Sequence, residues 1–168
     1  DLRLHDSSAR LGAMASASQV VPCFVLDPVL LASPRAGEKR VAFLLAGLRA
    51  LDASLRERGS YLVVRAGYPV GALSALATET GARAVFAEDD HSPYARARDA
   101  RVADVLPLEI AGDTTVHPPG DVVKADGTPY VVFTPFSRAW LSLQPPARSD
   151  LLPAPGHIPT PPAIRRDP

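Results

Sequence analysis

An uninterrupted apolar run near the start of the chain, residues 20–26 (VVPCFVL), constrains the fold more than any other feature. Such a run is typical of a strand that is buried on both faces, as in a parallel sheet covered by helices. Asp27 and Pro28 close the run. The apolar positions of residues 38–58 then recur at helical spacing, and Gly59 follows them as a helix stop. A buried strand followed by an amphipathic helix is the repeating unit of α/β proteins.

The alternation of strand and helix continues along the chain. We predict strands over residues 61–64, 84–87 and 108–110, and helices over residues 69–80, 93–106 and 134–143. Doubly buried strands that alternate with helices predict an α/β fold with an open parallel Rossmann-like sheet of about five strands, flanked by helices. Ligands of such sheets bind beyond the carboxyl ends of the strands. These ends correspond to the loops after Leu26, Arg65 and Ala87.

Prolines dominate the end of the chain, where residues 145–168 hold eight of the 18 prolines. Proline lacks an amide donor and restricts the residue before it, so this segment cannot form a central strand or a long helix. We interpret residues 145–168 as an extended linker or as a segment that lies along the surface. The folded domain then comprises residues 1–144. A linker implies a domain on its far side, so we expect the chain to be a piece of a longer protein.

Composition argues against several classes of function. The 18 basic and 18 acidic side chains give a formal net charge of +0, which disfavours binding of nucleic acid by bulk charge. No apolar run reaches the ~20 residues needed to span a bilayer, and no signal peptide is visible. The single cysteine, Cys23, excludes an internal disulfide and any multi-cysteine zinc site. We therefore expect a cytoplasmic protein with no membrane partner.

Motifs of the common enzyme classes are missing from the sequence. It contains no P-loop, no G-x-G-x-x-G after a strand and no G-x-S-x-G elbow. The four histidines are scattered, which argues against a metal site. Cys23 lies inside an apolar strand, where a small buried apolar side chain is expected rather than a catalytic thiol. We predict no catalytic residues and no metal site in this chain.

Three local motifs carry the remaining information. DLRLHD (residues 1–6) is either a functional loop or a charged loop that caps a helix starting near Ser7 or Ser8. EDDHSPYARARD (residues 88–99) follows a buried strand and opens a helix, whose free amides favour carboxylates. It is either a solvated helix start or part of a ligand site. FTPFSRAWL (residues 133–141) carries three aromatic rings at helical spacing and indicates a helix that docks against the sheet or a following domain.

The chain resembles the N-terminal α/β domain of DNA photolyases and cryptochromes in six motifs that occur in the family's order: DLRLHD, VVPCFVLDP, RVAFLLAGLRALDASLRERGS, DDHSPYARARD, VHPPGDVV and PYVVFTPFSRAWL. The resemblance covers residues 1–144, followed by the family's interdomain linker. It implies an antenna domain that binds a light-harvesting chromophore and passes excitation energy to FAD. A larger C-terminal helical domain, absent from this chain, would bind that FAD and DNA and flip the pyrimidine dimer into its pocket.

The resemblance also implies site residues and a missing strand. Asp27 matches a carboxylate near the chromophore of deazaflavin-type members, and Asp90, in a D-x-x-P-Y pattern, matches an antenna-contacting aspartate. Arg40 matches a position that faces the pocket, and Asp89 is a further carboxylate at the same strand end. Family members carry a strand before DLRLHD, central in the sheet, that this chain lacks. Because the resemblance places the FAD and DNA sites in the absent helical domain, we expect the chain alone to be inactive in DNA repair.

The identity of the antenna chromophore is narrowed by one departure from the family. Tyr94 and Ala95 stand where folate-binding members carry an Asn-Glu pair, which favours 8-hydroxy-deazaflavin or FMN over folate. Alternatives to a photolyase antenna domain are the corresponding domain of a cryptochrome photoreceptor, a plain nucleotide- or flavin-binding α/β module, and a structural domain with an empty pocket.

Overall fold

Strands and helices alternate along the chain as the apolar pattern predicts. The computed structural model describes residues 2–34, 36–113, 115–162 and 164, so Asp1 of DLRLHD and residues 163 and 165–168 of the proline-rich end lie outside the described residues. The elements, in chain order, are α1 (Ser8–Ser16), β1 (Cys23–Leu26), α2 (Pro28–Leu31), α3 (Glu38–Arg56), β2 (Val63–Ala66), α4 (Pro69–Thr80), β3 (Val85–Asp89), α5 (Pro93–Ala103), β4 (Leu108–Asp113), α6 (Phe133–Ser142) and a short 3-10 helix, Arg148–Asp150. Each predicted strand and helix is present, with ends within three residues of the prediction.

The four described strands form two separate parallel sheets. β1 pairs with β2, with Cys23 opposite Val63, and β3 pairs with β4, with Val85 opposite Leu108. The parallel pairing and the α/β class agree with the sequence prediction. A single sheet of about five strands is not confirmed, because β1 and β3 each pair with one strand and no described strand joins them.

A cleft of about 1160 Å³ separates the two sheets. Its lining includes Cys23 and Phe24 of β1 and Phe86 and Glu88 of β3. The strand edges on the two sides of this cleft have no strand partner in the part of the chain that the structure describes. Exposed edges of this kind readily pair with a further strand.

Side-chain caps and one glycine explain several helix boundaries. The Asp27 carboxylate accepts a hydrogen bond from the Val29 backbone N–H at 2.9 Å and so caps α2. The Ser92 hydroxyl accepts from the Ala95 backbone N–H at 3.3 Å and caps α5. Gly81 ends α4 at φ +70°, a left-handed conformation that glycine adopts without steric penalty.

The proline-rich end packs back onto the first sheet. Ile158 is completely buried and belongs to a core cluster whose other buried members are Leu4, Leu48, Leu55 and Leu62. We call residues 151–162 the C-terminal strap, because they lie along the surface of the folded body. This is one of the two arrangements that the prolines predict, and the role of residues 145–168 as an interdomain linker stays a prediction.

Hydrogen bonds tie the C-terminal strap to the end of α3 and the start of β2. The Ile158 backbone N–H donates to the Arg58 carbonyl at 2.8 Å. The hydroxyls of Ser60 and Thr160 lie 2.6 Å apart. These bonds satisfy backbone and hydroxyl groups that the strap would otherwise bury unpaired.

A buried ion pair fixes α4 against the first sheet. The Arg65 side chain, at 8% exposure, donates from Nη2 to Glu79 Oε2 at 2.5 Å.

None of the helices in the described part of the chain combines the length and apolarity that a membrane crossing requires.

Candidate functional site

Asp27 lies directly after β1, at the carboxyl end of the first sheet. It is only 5% exposed. One carboxylate oxygen, Oδ1, accepts from the Val29 backbone N–H, and the other, Oδ2, accepts a hydrogen bond from the Tyr94 hydroxyl. Both oxygens of this predicted site residue are therefore engaged within the protein.

Asp90 follows β3, at the carboxyl end of the second sheet. Its Oδ1 accepts from the Ser92 backbone N–H at 2.9 Å. This backbone hydrogen bond lowers the pKa of the Asp90 carboxyl, because it stabilises the charged form, and burial opposes it only in part. Asp90 is exposed and lines the cleft, so its charge is available to a ligand.

His91 connects two carboxylates at the ends of β3 and β4. Its Nε2 lies 2.6 Å from Asp113 Oδ2, and its Nδ1 lies 3.5 Å from Asp89 Oδ2. The His91 hydrogen bond is the main reason that the pKa of Asp113 is lowered. Asp89 and Asp113 also face each other across the strand pair, beside a shift in its register. His91 thus separates two negative charges that would otherwise repel one another.

Arg40 lies apart from the other predicted site residues. It is in the first turn of α3 and lines a shallow groove with Pro34, Gly37 and Lys39. The lining of the large cleft includes Asp89 and Asp90 but contains neither Arg40 nor Asp27. The structure therefore brings Asp89 and Asp90 together, links Asp27 to α5 through Tyr94, and leaves Arg40 in a separate groove.

Sequence reasoning missed two charged residues that line the cleft, Arg10 and Glu88. One oxygen of Glu88, Oε1, is buried and has no hydrogen-bond partner in the described part of the chain. Arg10 donates to the carbonyls of Leu4 at 2.6 Å and Arg3 at 2.7 Å. Burial lowers the pKa of Arg10, and the nearby Glu88 charge opposes that shift. No sequence pattern indicated that α1 would place Arg10 near β3.

Tyr94 was also missed as the partner of Asp27, although it stands in the D-x-x-P-Y pattern. The two residues are 67 positions apart, so no local spacing could indicate their contact.

Among the described residues, no group of three His, Cys, Asp or Glu side chains is placed to hold a metal ion.

The parallel strands and flanking helices place the chain in the α/β class, with polar side chains gathered where such domains bind ligands. The family model for DNA photolyase matches residues 1–156. The chain therefore belongs to the DNA photolyase family, as the six motifs predicted.

Curated relatives carry photolyase and cryptochrome names. A deoxyribodipyrimidine photo-lyase of Thermus thermophilus is 40% identical over 161 residues, which cover 95% of this chain and 35% of that protein. A second, from Synechococcus sp. PCC 6301, is 35% identical over 83% of this chain and 30% of its own length. An uncharacterized 31.6 kDa protein of Synechococcus sp. PCC 6716 is 38% identical over 95% of this chain and 57% of its length. Cryptochrome DASH of Natronomonas pharaonis is 36% identical over 63% of this chain.

Solved photolyase structures share the fold. A class III photolyase of Agrobacterium tumefaciens matches all of this chain with a TM-score of 0.86 and 27% identity, over 35% of its own length. An archaeal photolyase of Sulfolobus tokodaii, whose structure holds two FAD molecules and is described as implying a novel light-harvesting cofactor, matches 99% of this chain and 38% of its own length with a TM-score of 0.80 and 22% identity. The chain thus spans about a third of the photolyases it matches, which extend well beyond it.

Proposed function

We propose that this chain is the light-harvesting, chromophore-binding domain of a deoxyribodipyrimidine photolyase. The observation that carries the proposal is the match of residues 1–156 to the photolyase family, together with overlap of the whole chain with about a third of a solved photolyase. The second candidate function is that of a domain of a cryptochrome photoreceptor, because some of the relatives are named cryptochrome.

The proposed site uses the polar residues at the strand ends. A flat chromophore needs apolar contact for its faces and a few polar groups for its edge. Asp89 and Asp90 would supply acceptors at the edge, because both line the cleft at the carboxyl end of β3. Arg40 would act from the separate groove at the start of α3, and Asp27 would act through its position after β1. The chromophore in this proposal is 8-hydroxy-deazaflavin or FMN rather than folate.

The whole protein, in this proposal, carries a C-terminal helical domain that holds FAD and contacts DNA. Excitation energy would pass from the antenna chromophore to that FAD, and reduced FAD would supply the electron that splits a pyrimidine dimer. The relatives' additional length supports such a domain. We place the protein in the cytoplasm. Energy transfer depends on distance and orientation, so the role of this chain is to bind and orient a pigment.

A further strand in the whole protein would complete the sheet. The cleft between β1 and β3 supports this part of the proposal, because both of its edges are strand edges and its walls include Cys23, Phe24 and Phe86. A strand there would join the two sheets into one and cover apolar side chains from both.

The test is a fluorescence titration of the chain with 8-hydroxy-deazaflavin, FMN, FAD and a reduced folate, with AMP as the probe for a plain nucleotide module. We expect one pigment to bind, and Asp90→Ala to weaken it by about 10-fold, as for loss of a hydrogen bond to a charged group. The matched control is Asp126→Ala, because Asp126 Oδ1 accepts from the Thr128 backbone N–H at 2.9 Å in the same local geometry. Binding of AMP alone, or equal effects of the two substitutions, would contradict the proposal.

A further inference from the structure

The Tyr94 hydroxyl bridges the two sheets at their carboxyl ends. It donates to Asp27 Oδ2, and Asp27 follows β1 directly, whereas Tyr94 lies in the first turn of α5, which follows β3. The two sheets share no strand pairing among the described residues. This side-chain bond therefore crosses a gap that the strand ladders do not.

Burial shows that Asp27 is held by the protein and not presented to solvent. Its residue is 5% exposed, and Val29 and Tyr94 occupy one oxygen each. A carboxylate accepts hydrogen bonds and donates none, so each of these two bonds occupies an acceptor site that a ligand could otherwise use. The contribution of Asp27 to a ligand site is then to fix the geometry around it.

Asp90 lies at the same helix start as Tyr94. Asp90 accepts from the Ser92 backbone N–H, Ser92 caps α5, and Pro93 begins the helix. These local bonds connect Asp90 to the helix start that carries Tyr94. When Asp27 holds Tyr94, it also holds the exposed Asp90 carboxylate at a defined distance from β1.

We propose that Tyr94 is a positioning residue: its hydrogen bond to Asp27 sets the separation between the carboxyl ends of β1 and β3 and thereby places Asp90 for the antenna chromophore. This inference rests on the proposed function for its ligand, but the separation itself is measurable without any ligand.

Ionisation of the phenol offers a direct spectroscopic signal of the bond. The pKa of Tyr94 is raised, first because its hydroxyl donates to Asp27, and further by burial and by the negative charge of that carboxylate. In an ultraviolet pH titration, we expect one tyrosine to ionise at a higher pH than tyrosines ordinarily do. Both Tyr94→Phe and Asp27→Asn should remove this late-ionising component. Absence of this component from the unsubstituted chain would overturn the proposal.

The separation of the strand ends can be measured as the distance between two spin labels by pulsed electron paramagnetic resonance. The labels are attached to cysteines introduced by Tyr68→Cys and Arg96→Cys, both at exposed positions. Cys23 is replaced by Ala in the labelled chains, so that only the two new thiols carry labels. We expect one narrow distance distribution, which broadens when Tyr94→Phe is added. An unchanged distribution would overturn the proposal whether or not a chromophore binds.

Chromophore binding then connects the hydrogen bond to function. For the pigment that binds the unsubstituted chain, we expect Tyr94→Phe to raise the Kd about 10-fold and to shift the pigment's absorption maximum. The control is Tyr68→Phe, because Tyr68 also follows a strand and precedes a helix but is 68% exposed. The double variant that carries Tyr94→Phe and Asp90→Ala should raise the Kd by less than the product of the two single fold-increases, since both substitutions act through Asp90. Unchanged affinity in Tyr94→Phe would refute positioning of the chromophore, whereas failure of every pigment to bind the unsubstituted chain would refute the proposed function alone.

Discussion

Truncation of Ile158 tests whether the C-terminal strap is part of the folded core. The side chain is completely buried among leucines from α3 and from the segments before α1 and β2. Ile158→Ala removes three carbons from that environment. At about 0.8 kcal/mol for each buried carbon, the transfer cost alone is about 2.4 kcal/mol. The cavity left behind raises the expected loss of unfolding free energy to about 3–4 kcal/mol.

The backbone of the strap keeps its bonds in this variant, because the Ile158 N–H that donates to the Arg58 carbonyl is retained. The loss therefore reports the side chain alone. Urea unfolding followed by circular dichroism measures it as a lower midpoint at an unchanged slope. Leu151→Ala in the same strap is the control, because Leu151 is 54% exposed, and we expect it to change stability by under about 0.5 kcal/mol. A loss below about 1 kcal/mol for Ile158→Ala would show that the strap is not docked in solution.

Two further substitutions address buried polar groups. Burial raises the pKa of the Cys23 thiol to about 11 from 9.0, and the Arg65 charge opposes the shift. The unfolded thiol then ionises first, so unfolding free energy should fall between pH 9.0 and about 11. Cys23→Ala should remove this part of the pH dependence, and an identical pH profile in both proteins would contradict the shift. Glu79→Gln, which removes the Glu79 charge from its ion pair with the buried Arg65, should cost about 1–3 kcal/mol in urea unfolding, a range reduced because Glu79 is partly exposed. Glu57→Gln, at a pair of 3.5 Å on the surface, should cost less than about 0.5 kcal/mol, and equal losses would refute the role of burial.

Local patterns predicted the helices and strands because each depends on neighbouring residues. The helix over residues 38–58 follows from its apolar spacing and Gly59, and α4 follows from Pro69 and Gly81. The strand predicted over residues 61–64 lies at Val63–Ala66, because these are the residues that pair with β1. The Tyr61 hydroxyl, before the strand, donates to the Pro161 carbonyl of the C-terminal strap.

Long-range contacts were beyond sequence reasoning. The apolar run predicted a strand buried on both faces, whereas every residue of β1 is only half-buried, and no pattern showed that the strands divide into two sheets. The carboxylates of EDDHSPYARARD offered a strand-end ligand site as one of two interpretations. The hydrogen bond from Tyr94 to Asp27 and the approach of Arg10 to Glu88 depend on how the helices pack. The predicted roles of Asp27, Arg40, Asp89 and Asp90 stay predictions until a pigment is bound.

The C-terminal strap also dictates an order of events during synthesis. Ser60 and Thr160 meet although 100 residues separate them, so their contact closes a loop that spans most of the chain. Such distant contacts form late, because the entropy of the long loop must be lost first. On the ribosome, the core around Leu55 stays open until residue 158 has left the exit tunnel. Docking of the strap is therefore a late step, and the apolar core that Ile158 completes stays exposed until then, a period in which unpaired apolar surface favours aggregation.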